Sequence, residues 1–598
     1  MNLLSFPSGS FFLGGYAGSL IELAVHEEYL DEEKYHLFAS QFALHSDRAG
    51  SWRGEFWGKF LRCAVSCYKA THNRLLYGII ERSVFEIVSY MEKDGTLSSY
   101  IPEDRLTGWD MWCRKYAMIG LLSYLEISKN QKKKAKALHS LCLQADSILA
   151  KVGPYPGQKG ILKTSSVYGS LNSASILGVY VDLYSLTKKQ EYLDFASYII
   201  STGLSEGENL IENALKEGSY PYQWKATKAY EMIACFQGVL HYGEVTNDER
   251  CVAAVKSFVK KVAETDFTIT GGIGTESEFF NDSSLKQTCP SVKPGSETCV
   301  TVSFMALCDD LLKKTGDPYY ASLIETMAYN NLFGATNDEN QKMNLAEGRV
   351  WRLDGYDTPP HEPFLFDSYS PVVSDRRAKV VGGYMRLQNE RSYGCCAANG
   401  GFGLGLVRDF AFLKEKDGYV LNFYNDFKAK DVFGSKNISF LMQANLYKKG
   451  RATLRIRGQG ERFRLSLRLP SWAKLTVKLN GQVLSDLKIQ KGYVILDRVW
   501  GNDRLTMELP LALESVYLND KIAFKRGPIV LATDSRFGSF DGVISSSLKG
   551  KLVPNDAFKT NETLLLSNGM KLCDYASAAK NMDDKDSKLT VWMDISKK

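Results

Sequence analysis

The stretch Glu55-Phe-Trp-Gly-Lys-Phe-Leu-Arg-Cys-Ala-Val-Ser-Cys-Tyr-Lys-Ala-Thr71-His-Asn73 contains the pattern that decides the fold of the first half of the chain. Its apolar residues Phe56, Phe60 and Ala64 recur at the spacing of one face of an α-helix. The helical pattern stops at the short connector Thr71-His-Asn73. The stretch therefore predicts a helix, a tight connector and the start of a second helix.

Connectors of the same kind recur at Ser128-Lys-Asn130, Thr187-Lys-Lys189, Thr246-Asn-Asp248 and Thr315-Gly-Asp317. Successive connectors begin about 60 residues apart. That period suits a helical hairpin together with its return loop. From about Glu55 to Asn331 we therefore expect an array of helix pairs, and a closed α/α toroid is preferred over an open solenoid.

The pattern changes after about Val407 to short alternating or apolar runs separated by Gly, Asn, Asp and Lys. Runs at 452–456 and 463–469, and again at 493–496 and 505–509, predict separate strands. Asn480-Gly481 predicts a tight hairpin. The chain is thus expected to be a multidomain α+β protein, with a helical domain over 1–410, a β-sandwich over 411–517 and a smaller β region over 518–598.

Bulk composition indicates an ordinary globular protein, with 44% hydrophobic and 24% charged residues. The 74 basic and 68 acidic residues are spread along the chain, which argues against a nucleic-acid surface. Neither an apolar run of membrane-spanning length nor a secretory signal is visible in the sequence. Because the chain has 12 cysteines, a reducing compartment, the cytoplasm, is expected; the sequence is compatible with a homodimer but does not fix the oligomeric state.

Two adjacent cysteines stand in Tyr393-Gly-Cys-Cys-Ala-Ala-Asn399-Gly400. Their Cα atoms are ~3.8 Å apart across a trans peptide, below the ~4.4 Å at which ordinary disulfide geometry begins. Cys395 and Cys396 are therefore better suited to bind one soft metal together. Upstream, Glu297 and Cys299 in Gly295-Ser-Glu-Thr-Cys299 offer the other two ligands of a tetrahedral zinc site. The alternative is that these cysteines are small buried core residues.

Glu278 lies in the glycine-bounded segment Gly271-Gly-Ile-Gly-Thr-Glu-Ser-Glu-Phe-Phe280. Its neighbours Phe279 and Phe280 are expected to raise the pKa of the carboxyl group toward neutrality, as a general acid requires. The alternative is a solvated loop carboxylate.

Several motifs follow one another in a characteristic order along the chain. They are Gly271-Gly-Ile-Gly274, Glu278-Phe279, Glu297-Thr-Cys299, Tyr393-Gly-Cys-Cys-Ala-Ala-Asn-Gly400, Arg468-Leu-Pro-Ser-Trp472, Asn480-Gly481 and Lys525-Arg-Gly-Pro528. This order resembles glycoside hydrolase family 127 and close relatives such as family 146, and the resemblance extends from about Gly14 to Asp534.

This resemblance implies a retaining β-L-arabinofuranosidase built on an (α/α)6 barrel followed by β-sandwiches. It implies that Cys395 is the nucleophile and Glu278 the acid/base. It also implies that Glu297, Cys299 and Cys396 hold a zinc ion to which the Cys395 sulfur binds. The expected substrate is an oligosaccharide or glycoconjugate, derived from plants, that ends in a β-L-arabinofuranosyl residue. Candidate sugar-binding residues are Glu55, Lys115, Lys228 and Tyr393.

The sequence departs from the family where members carry Gly-His pairs that touch the sugar. The corresponding stretches read Tyr168-Gly-Ser-Leu-Asn172 and Ala226-Thr-Lys-Ala-Tyr230, and Gly400-Gly-Phe402 replaces a Gly-Pro-Arg. Lys115 or Lys228 would suit an acidic sugar such as aceric acid or a uronate.

Two further alternatives keep the fold and change the chemistry. In one, Cys395 is only structural, and Glu278 performs inverting hydrolysis with another carboxylate. In the other, the chain is a carbohydrate-binding α/α scaffold with a structural zinc.

Overall fold

The computed structural model describes residues 3–276, 278–289, 295–337, 351–353, 356–358, 364–377, 381–387, 392–538, 544, 549–555, 562–580 and 587–595. Helices dominate up to Ala411, and strands dominate after it. The helices of nine or more residues are α1 Gly15–Ala24, α2 Glu32–Leu44, α3 Glu55–Thr71, α4 Arg74–Ser89, α5 Asp110–Ile127, α6 Gln131–Leu149, α7 Leu177–Thr187, α8 Gln190–Ser201, α9 Ala229–Thr246, α10 Glu249–Thr265, α11 Thr298–Thr315, α12 Pro318–Thr326 and α13 Gly400–Ala411.

The predicted connectors join the helices of each pair, from α3–α4 to α11–α12. At the first of them, His72 takes a left-handed conformation that ends α3, and the Asn73 side chain accepts hydrogen bonds from the first backbone N–H groups of α4. Asn130, Asp248 and Asp317 cap their helices in the same way. Four of the five connectors thus end with a residue whose side chain caps the second helix.

The first helices of these pairs, together with α13, pack in a cycle. Helix α3 contacts α5, α5 contacts α7, α7 contacts α9, α9 contacts α11, α11 contacts α13, and α13 returns to α3. A cycle of contacts favours a closed toroid over an open solenoid.

An 11-stranded sheet follows the helices, and it also includes two short strands near the start of the chain. Leu4–Ser5 pairs with Phe412–Glu415, and Phe11–Leu13 pairs with Phe427–Phe433. The strands of this sheet are Leu4–Ser5, Phe11–Leu13, Phe412–Glu415, Gly418–Leu421, Phe427–Phe433, Lys436–Asn445, Arg451–Arg468, Thr476–Leu479, Gln482–Val483, Lys488–Gln490 and Tyr493–Glu508.

Two predicted breaks in this sheet are wrong. The runs at 452–456 and 463–469 form one strand, Arg451–Arg468, and those at 493–496 and 505–509 form Tyr493–Glu508. The two long strands pair along their length, with a register shift between Arg457 and Glu461. Gly458 and Gly460, which lie in between, predict a loop from sequence. They instead form part of a bulge through which the strand continues.

The Asn480-Gly481 hairpin is confirmed. Leu479 pairs with Gln482, and the φ angles of Asn480 and Gly481 are 51° and 91°. Positive φ at both central residues is what a tight hairpin turn requires.

An eight-stranded sheet ends the described chain. Its strands are Leu513–Leu518, Lys521–Arg526, Ile529–Asp534, Gly550–Pro554, Glu562–Leu566, Lys571–Asp574, Leu589–Thr590 and Met593–Asp594. In the part of the chain that the structure describes, no helix combines the length and apolar character needed to cross a membrane. The cytoplasmic location and the oligomeric state stay predictions.

A buried ion pair joins the helical domain to the 11-stranded sheet. Arg468, which is fully buried, donates a hydrogen bond to Glu325 of α12. The Arg468 Nε atom also donates to the Asn422 carbonyl oxygen at 2.6 Å, and Trp472 Nε1 donates to Glu325 Oε2 at 2.9 Å. Both charges are fully hydrogen-bonded, so removing one partner leaves the other buried and unpaired.

We expect Glu325→Ala to lower the free energy of unfolding by about 3–5 kcal/mol, because the Arg468 charge loses its counter-ion inside the protein. Urea denaturation followed by circular dichroism measures the change. The matched control is Glu32→Ala, which removes an ion pair with Arg82 on the surface, where the two side chains are 53% and 61% exposed. The control should change stability by less than about 1 kcal/mol. An equal loss in both variants would contradict the bridging role of Glu325.

Candidate active site

A cavity of about 690 Å3 opens where α3, α5 and α9 begin. Aromatic rings form much of its wall, and adjacent ring centroids of Trp52, Trp109 and Trp112 lie about 6 Å apart. The lining residues are Trp52, Glu55, Lys59, Trp109, Trp112, Tyr168, Lys228, Tyr230, Glu231, Glu278, Glu297, Val381, Gly383, Tyr384, Met385, Arg386 and Cys395.

The four predicted metal ligands converge beside this cavity. Glu297 and Cys299 stand at the start of α11, and Cys395 and Cys396 stand just before α13. One potential ligand atom from each residue lies within 4.8 Å of the others. The two neighbouring sulfur atoms are 3.7 Å apart, and Cys396 Sγ lies 3.4 Å from Glu297 Oε1.

This arrangement of donors fits a soft divalent metal such as zinc. Tetrahedral zinc at ~2.3 Å from each of two sulfurs holds those sulfurs ~3.8 Å apart, close to the separation of Cys395 and Cys396. The Glu297 Oε2 atom is buried and has no hydrogen-bond partner among the described residues. A bound cation would satisfy that oxygen.

The electrostatics of the four clustered residues also favour a bound cation. Burial raises the pKa of the Cys299 thiol, but hydrogen bonds from Cys395 and Cys396 outweigh burial and lower that pKa to about 6. Burial and the charge of Glu278 raise the pKa of Glu297 well above its usual range. A buried carboxyl group and a buried thiolate within ligand distance of each other favour a positive ion between them.

Only one cysteine of the cluster lines the cavity in the described part of the chain. Cys395 is 8% exposed, whereas Cys299 and Cys396 are fully buried. A ligand in the cavity can therefore reach the Cys395 sulfur.

Glu278 faces the same cavity. Its loop is attached to the start of α9, because the Ala229 N–H donates to the Glu278 carbonyl oxygen at 3.0 Å and the Phe280 N–H donates to that of Thr227 at 2.9 Å. The φ angle of Glu278 is 73°, an uncommon conformation outside glycine that often marks functional sites. Its carboxylate accepts hydrogen bonds from Lys228 and, at 2.8 Å, from the Tyr369 hydroxyl.

These contacts contradict the expectation from sequence that apolar neighbours raise the pKa of Glu278. Burial alone would raise that pKa, but the Lys228 charge and its hydrogen bond outweigh burial and lower it. Glu276, two residues earlier, is exposed and does not line the cavity. Of these two carboxylates, Glu278 is the one in position to meet a ligand.

The structure divides the predicted sugar-binding residues into two groups. Glu55 and Lys228 line the cavity, where Glu55 accepts hydrogen bonds from Lys59 at 3.0 Å and from Trp112. Lys115 lies behind Trp112, with its Nζ atom 3.4 Å from the centroid of one of the Trp112 rings.

The structure does not place Lys115 and Tyr393 on the cavity wall, where the sequence predicted them. Lys115 Nζ donates to the Ser175 hydroxyl at 2.9 Å, and the residue lines a different cavity. Tyr393 is 4% exposed and donates to Glu28, and its ring packs against Phe38. Neither residue lines the cavity that contains Cys395.

Sequence analysis missed several residues of the site. Lys59, Glu231 and Gly383 line the cavity, and Tyr369 reaches Glu278 from 91 positions along the chain. Lys59 lies one turn after Glu55 on α3, so helical spacing was an available signal for it. No local signal identifies Tyr369, because its contact depends on the tertiary fold.

Comparison with protein families gives two matches in this chain. The model of "Beta-L-arabinofuranosidase, GH127 catalytic domain" matches residues 21–345, and that of the "GH127 middle domain" matches residues 420–511. No curated protein gives a significant match.

Solved structures share the overall fold at low identity. A GH127 β-arabinofuranosidase is 16% identical, with a TM-score of 0.72 over 99% of this chain and 98% of its own. A GH127 β-L-arabinofuranosidase from Geobacillus stearothermophilus T6 is 16% identical, with a TM-score of 0.71 over the full length of both chains. Since the catalytic-domain match alone covers more than half of the residues, the chain belongs to glycoside hydrolase family 127.

Proposed function

We propose that this glycoside hydrolase is a retaining, exo-acting enzyme that removes terminal β-L-arabinofuranosyl residues from plant-derived glycans. In this proposal Cys395 is the nucleophile and Glu278 is the acid/base. Zn2+ is held by Glu297, Cys299, Cys395 and Cys396, and the cycle of helices is an (α/α)6 barrel. The observation that carries it is that Cys395, alone among the three clustered cysteines, lines the cavity that Glu278 also faces.

In the first step the Cys395 sulfur attacks the anomeric carbon, and the bond from that carbon to the leaving oxygen breaks. Glu278 gives its proton to the departing oxygen, which leaves as an alcohol. Zinc bound by Glu297, Cys299, Cys395 and Cys396 would keep the nucleophile as a thiolate at neutral pH.

In the second step a water molecule attacks the anomeric carbon, and the bond to sulfur breaks. Glu278, now a carboxylate, takes a proton from this water. Two displacements at one carbon restore its original configuration. The hydrogen bonds from Lys228 and Tyr369 suit this step, because they stabilise the carboxylate.

The first step needs the opposite protonation state of Glu278. Because Lys228 lowers the pKa of this carboxyl group, a bound glycoside that weakens the Lys228 contact would favour the protonated form of Glu278. Glycoside binding and protonation of Glu278 are therefore coupled in the proposed mechanism.

The cavity favours a neutral sugar over an acidic one. Lys115 lies outside it, and Lys228 is already paired with Glu278. Four carboxyl side chains line the described part of the wall, those of Glu55, Glu231, Glu278 and Glu297. A carboxylate on the sugar would meet these four groups, whereas the two lining lysines are paired with Glu55 and Glu278, and the remaining cation of the described wall, Arg386, is exposed to solvent.

Inverting hydrolysis remains the competing mechanism, with Glu231 as the second carboxylate within the cavity. Proton NMR of the first product distinguishes the two mechanisms. Retention gives β-L-arabinofuranose first, and inversion gives the α anomer.

Gly383 controls access to the Cys395 sulfur. A Cβ atom added at Gly383 would lie 2.4 Å from Cys395 Sγ, and the φ angle of Gly383 is +54°. The Gly383 carbonyl oxygen accepts from Trp52 Nε1 at 2.8 Å, and the Cys395 N–H donates to the Gly382 carbonyl oxygen at 3.1 Å. The glycine therefore holds its backbone against the nucleophile and leaves the sulfur uncovered.

We expect Gly383→Ala to lower kcat/KM by at least about 100-fold, because a displacement of the reacting atom by about 1 Å costs that much. Kinetics with 4-nitrophenyl β-L-arabinofuranoside measures the loss. Gly434→Ala is the matched control, because φ is +62° there and an added Cβ meets nothing within 4 Å. Equal activity in both variants would show that the Gly383 methyl group does not obstruct Cys395.

The purified enzyme should contain about one zinc per chain, because the four side chains supply a complete tetrahedral set. Metal analysis of Cys396→Ser should show loss of the zinc.

Cys395→Ser should fold but not turn over, because a serine hydroxyl is scarcely ionised at neutral pH. Cys142→Ser, which changes a half-buried thiol of α6, is the control that should keep both metal and activity. A metal-free wild-type protein with full activity would remove the zinc assignment.

Glu278→Gln should slow hydrolysis by about 100- to 10,000-fold for glycosides with poor leaving groups, which need protonation of the departing oxygen. Nitrophenyl glycosides need less help, so their first step should persist and an adduct on Cys395 should accumulate. Leaving-group kinetics and intact mass measure these two effects. Glu276→Gln is the control, since Glu276 is exposed outside the cavity and should react normally. Equal losses for all leaving groups without an adduct would argue against the acid/base role.

A further inference from the structure

Glu231 is a cavity residue that the proposed mechanism does not use. It stands in the first turn of α9, three residues after Lys228, and it is only 2% exposed. Its side chain nevertheless lines the cavity that contains Cys395 and Glu278.

The Oε2 atom of Glu231 is buried and has no hydrogen-bond partner among the described residues. The nearby cation does not supply one, because Lys228 Nζ is 3.9 Å away and donates to Glu278 instead. By contrast, Glu55 accepts from both Lys59 and Trp112, and Glu278 accepts from both Lys228 and Tyr369.

A buried carboxyl oxygen without a donor is unfavourable, and such atoms in folded proteins call for an explanation. Glu297 has a similar oxygen, which the metal would satisfy. Glu231 is not a member of that cluster, but its side chain lines the cavity, so a ligand there is in position to supply a hydrogen-bond donor.

We propose that Glu231 accepts hydrogen bonds from ring hydroxyl groups of the bound sugar and thereby selects neutral, hydroxyl-bearing sugars over acidic ones. This inference rests on the proposed function and adds a specificity-determining residue to it. Hydroxyl groups are donors, so they supply what Oε2 lacks, whereas a carboxylate on the sugar has no donor and repels Glu231. A site that hydrogen-bonds a hydroxyl group also rejects analogues without it, because its own polar atom is then left unpaired.

A substrate-deletion experiment tests the contact. The wild-type enzyme and Glu231→Gln are assayed on 4-nitrophenyl β-L-arabinofuranoside and on its 2-deoxy, 3-deoxy and 5-deoxy analogues. On the full sugar, Glu231→Gln should lose about 10- to 100-fold in kcat/KM, the size of one hydrogen bond to a charged group. On the analogue that lacks the contacted hydroxyl, the same substitution should cost less than about threefold, because the contact is already absent.

Charge selectivity provides a second readout that a structural role would not move. The wild-type enzyme should prefer the full sugar over the analogue oxidised to a carboxylate at C5. In Glu231→Gln this preference, measured as the ratio of the two kcat/KM values, should be smaller by about tenfold or more. Zinc content and melting temperature should stay at wild-type values. Glu276→Gln, an exposed carboxylate outside the cavity, should behave as wild type on every substrate.

The inference is overturned if Glu231→Gln costs the same factor on all three deoxy analogues as on the full sugar, or if charge selectivity does not change. Those outcomes leave the proposed function intact, since the wild type still hydrolyses the full sugar. A wild-type enzyme that hydrolyses no furanoside overturns the proposed function and this inference together.

Discussion

Packing of α13 against α11 and α3 is the contact on which the active site depends. Cys395 and Glu297 are 98 positions apart in the sequence, and their side chains meet because α13 completes the cycle of helices beside α11. The cysteines lie in the turn that leads into α13, and Glu297 directly precedes α11. Anything that displaces α13 therefore separates two of the four potential metal ligands from the other two.

Charge balance is the second constraint. The cavity and the adjoining cluster concentrate carboxyl and thiol groups, and the cations that line the described wall are Lys59, Lys228 and the exposed Arg386. Each lysine is committed to a glutamate, Lys59 to Glu55 and Lys228 to Glu278. A metal ion at the cluster and hydroxyl groups in the cavity are the kinds of partner that this excess of acceptors needs.

A feature of the site can be predicted from the sequence when the interactions that cause it lie within a few neighbouring residues. The adjacent pair Cys395-Cys396 restricts its own chemistry through backbone geometry, and Asn73 caps the helix that begins one residue later, so both were predictable. Lys115 and Tyr393 stand near site residues in sequence, but their side chains point away from the cavity. Proximity along the chain does not fix direction, and only packing shows which side chains face a ligand. The long strand Arg451–Arg468 was missed for a related reason, since its partner strand holds it in the sheet across glycines that look like a break.

Pairing of the first strands with the sheet has a consequence for biosynthesis. Among the described strands, Leu4–Ser5 and Phe11–Leu13 pair with Phe412–Glu415 and Phe427–Phe433, about 400 residues later. At translation rates of about 5–20 residues per second, the start of the chain waits roughly 20–80 s for these partners to emerge from the ribosome. During that interval the apolar side of Phe11–Leu13 lacks its final cover, and unpaired strand edges of this kind are where nascent chains aggregate. The helical array can begin to form as it is made, but the two ends of the domain join only after the ribosome has passed into the sheet.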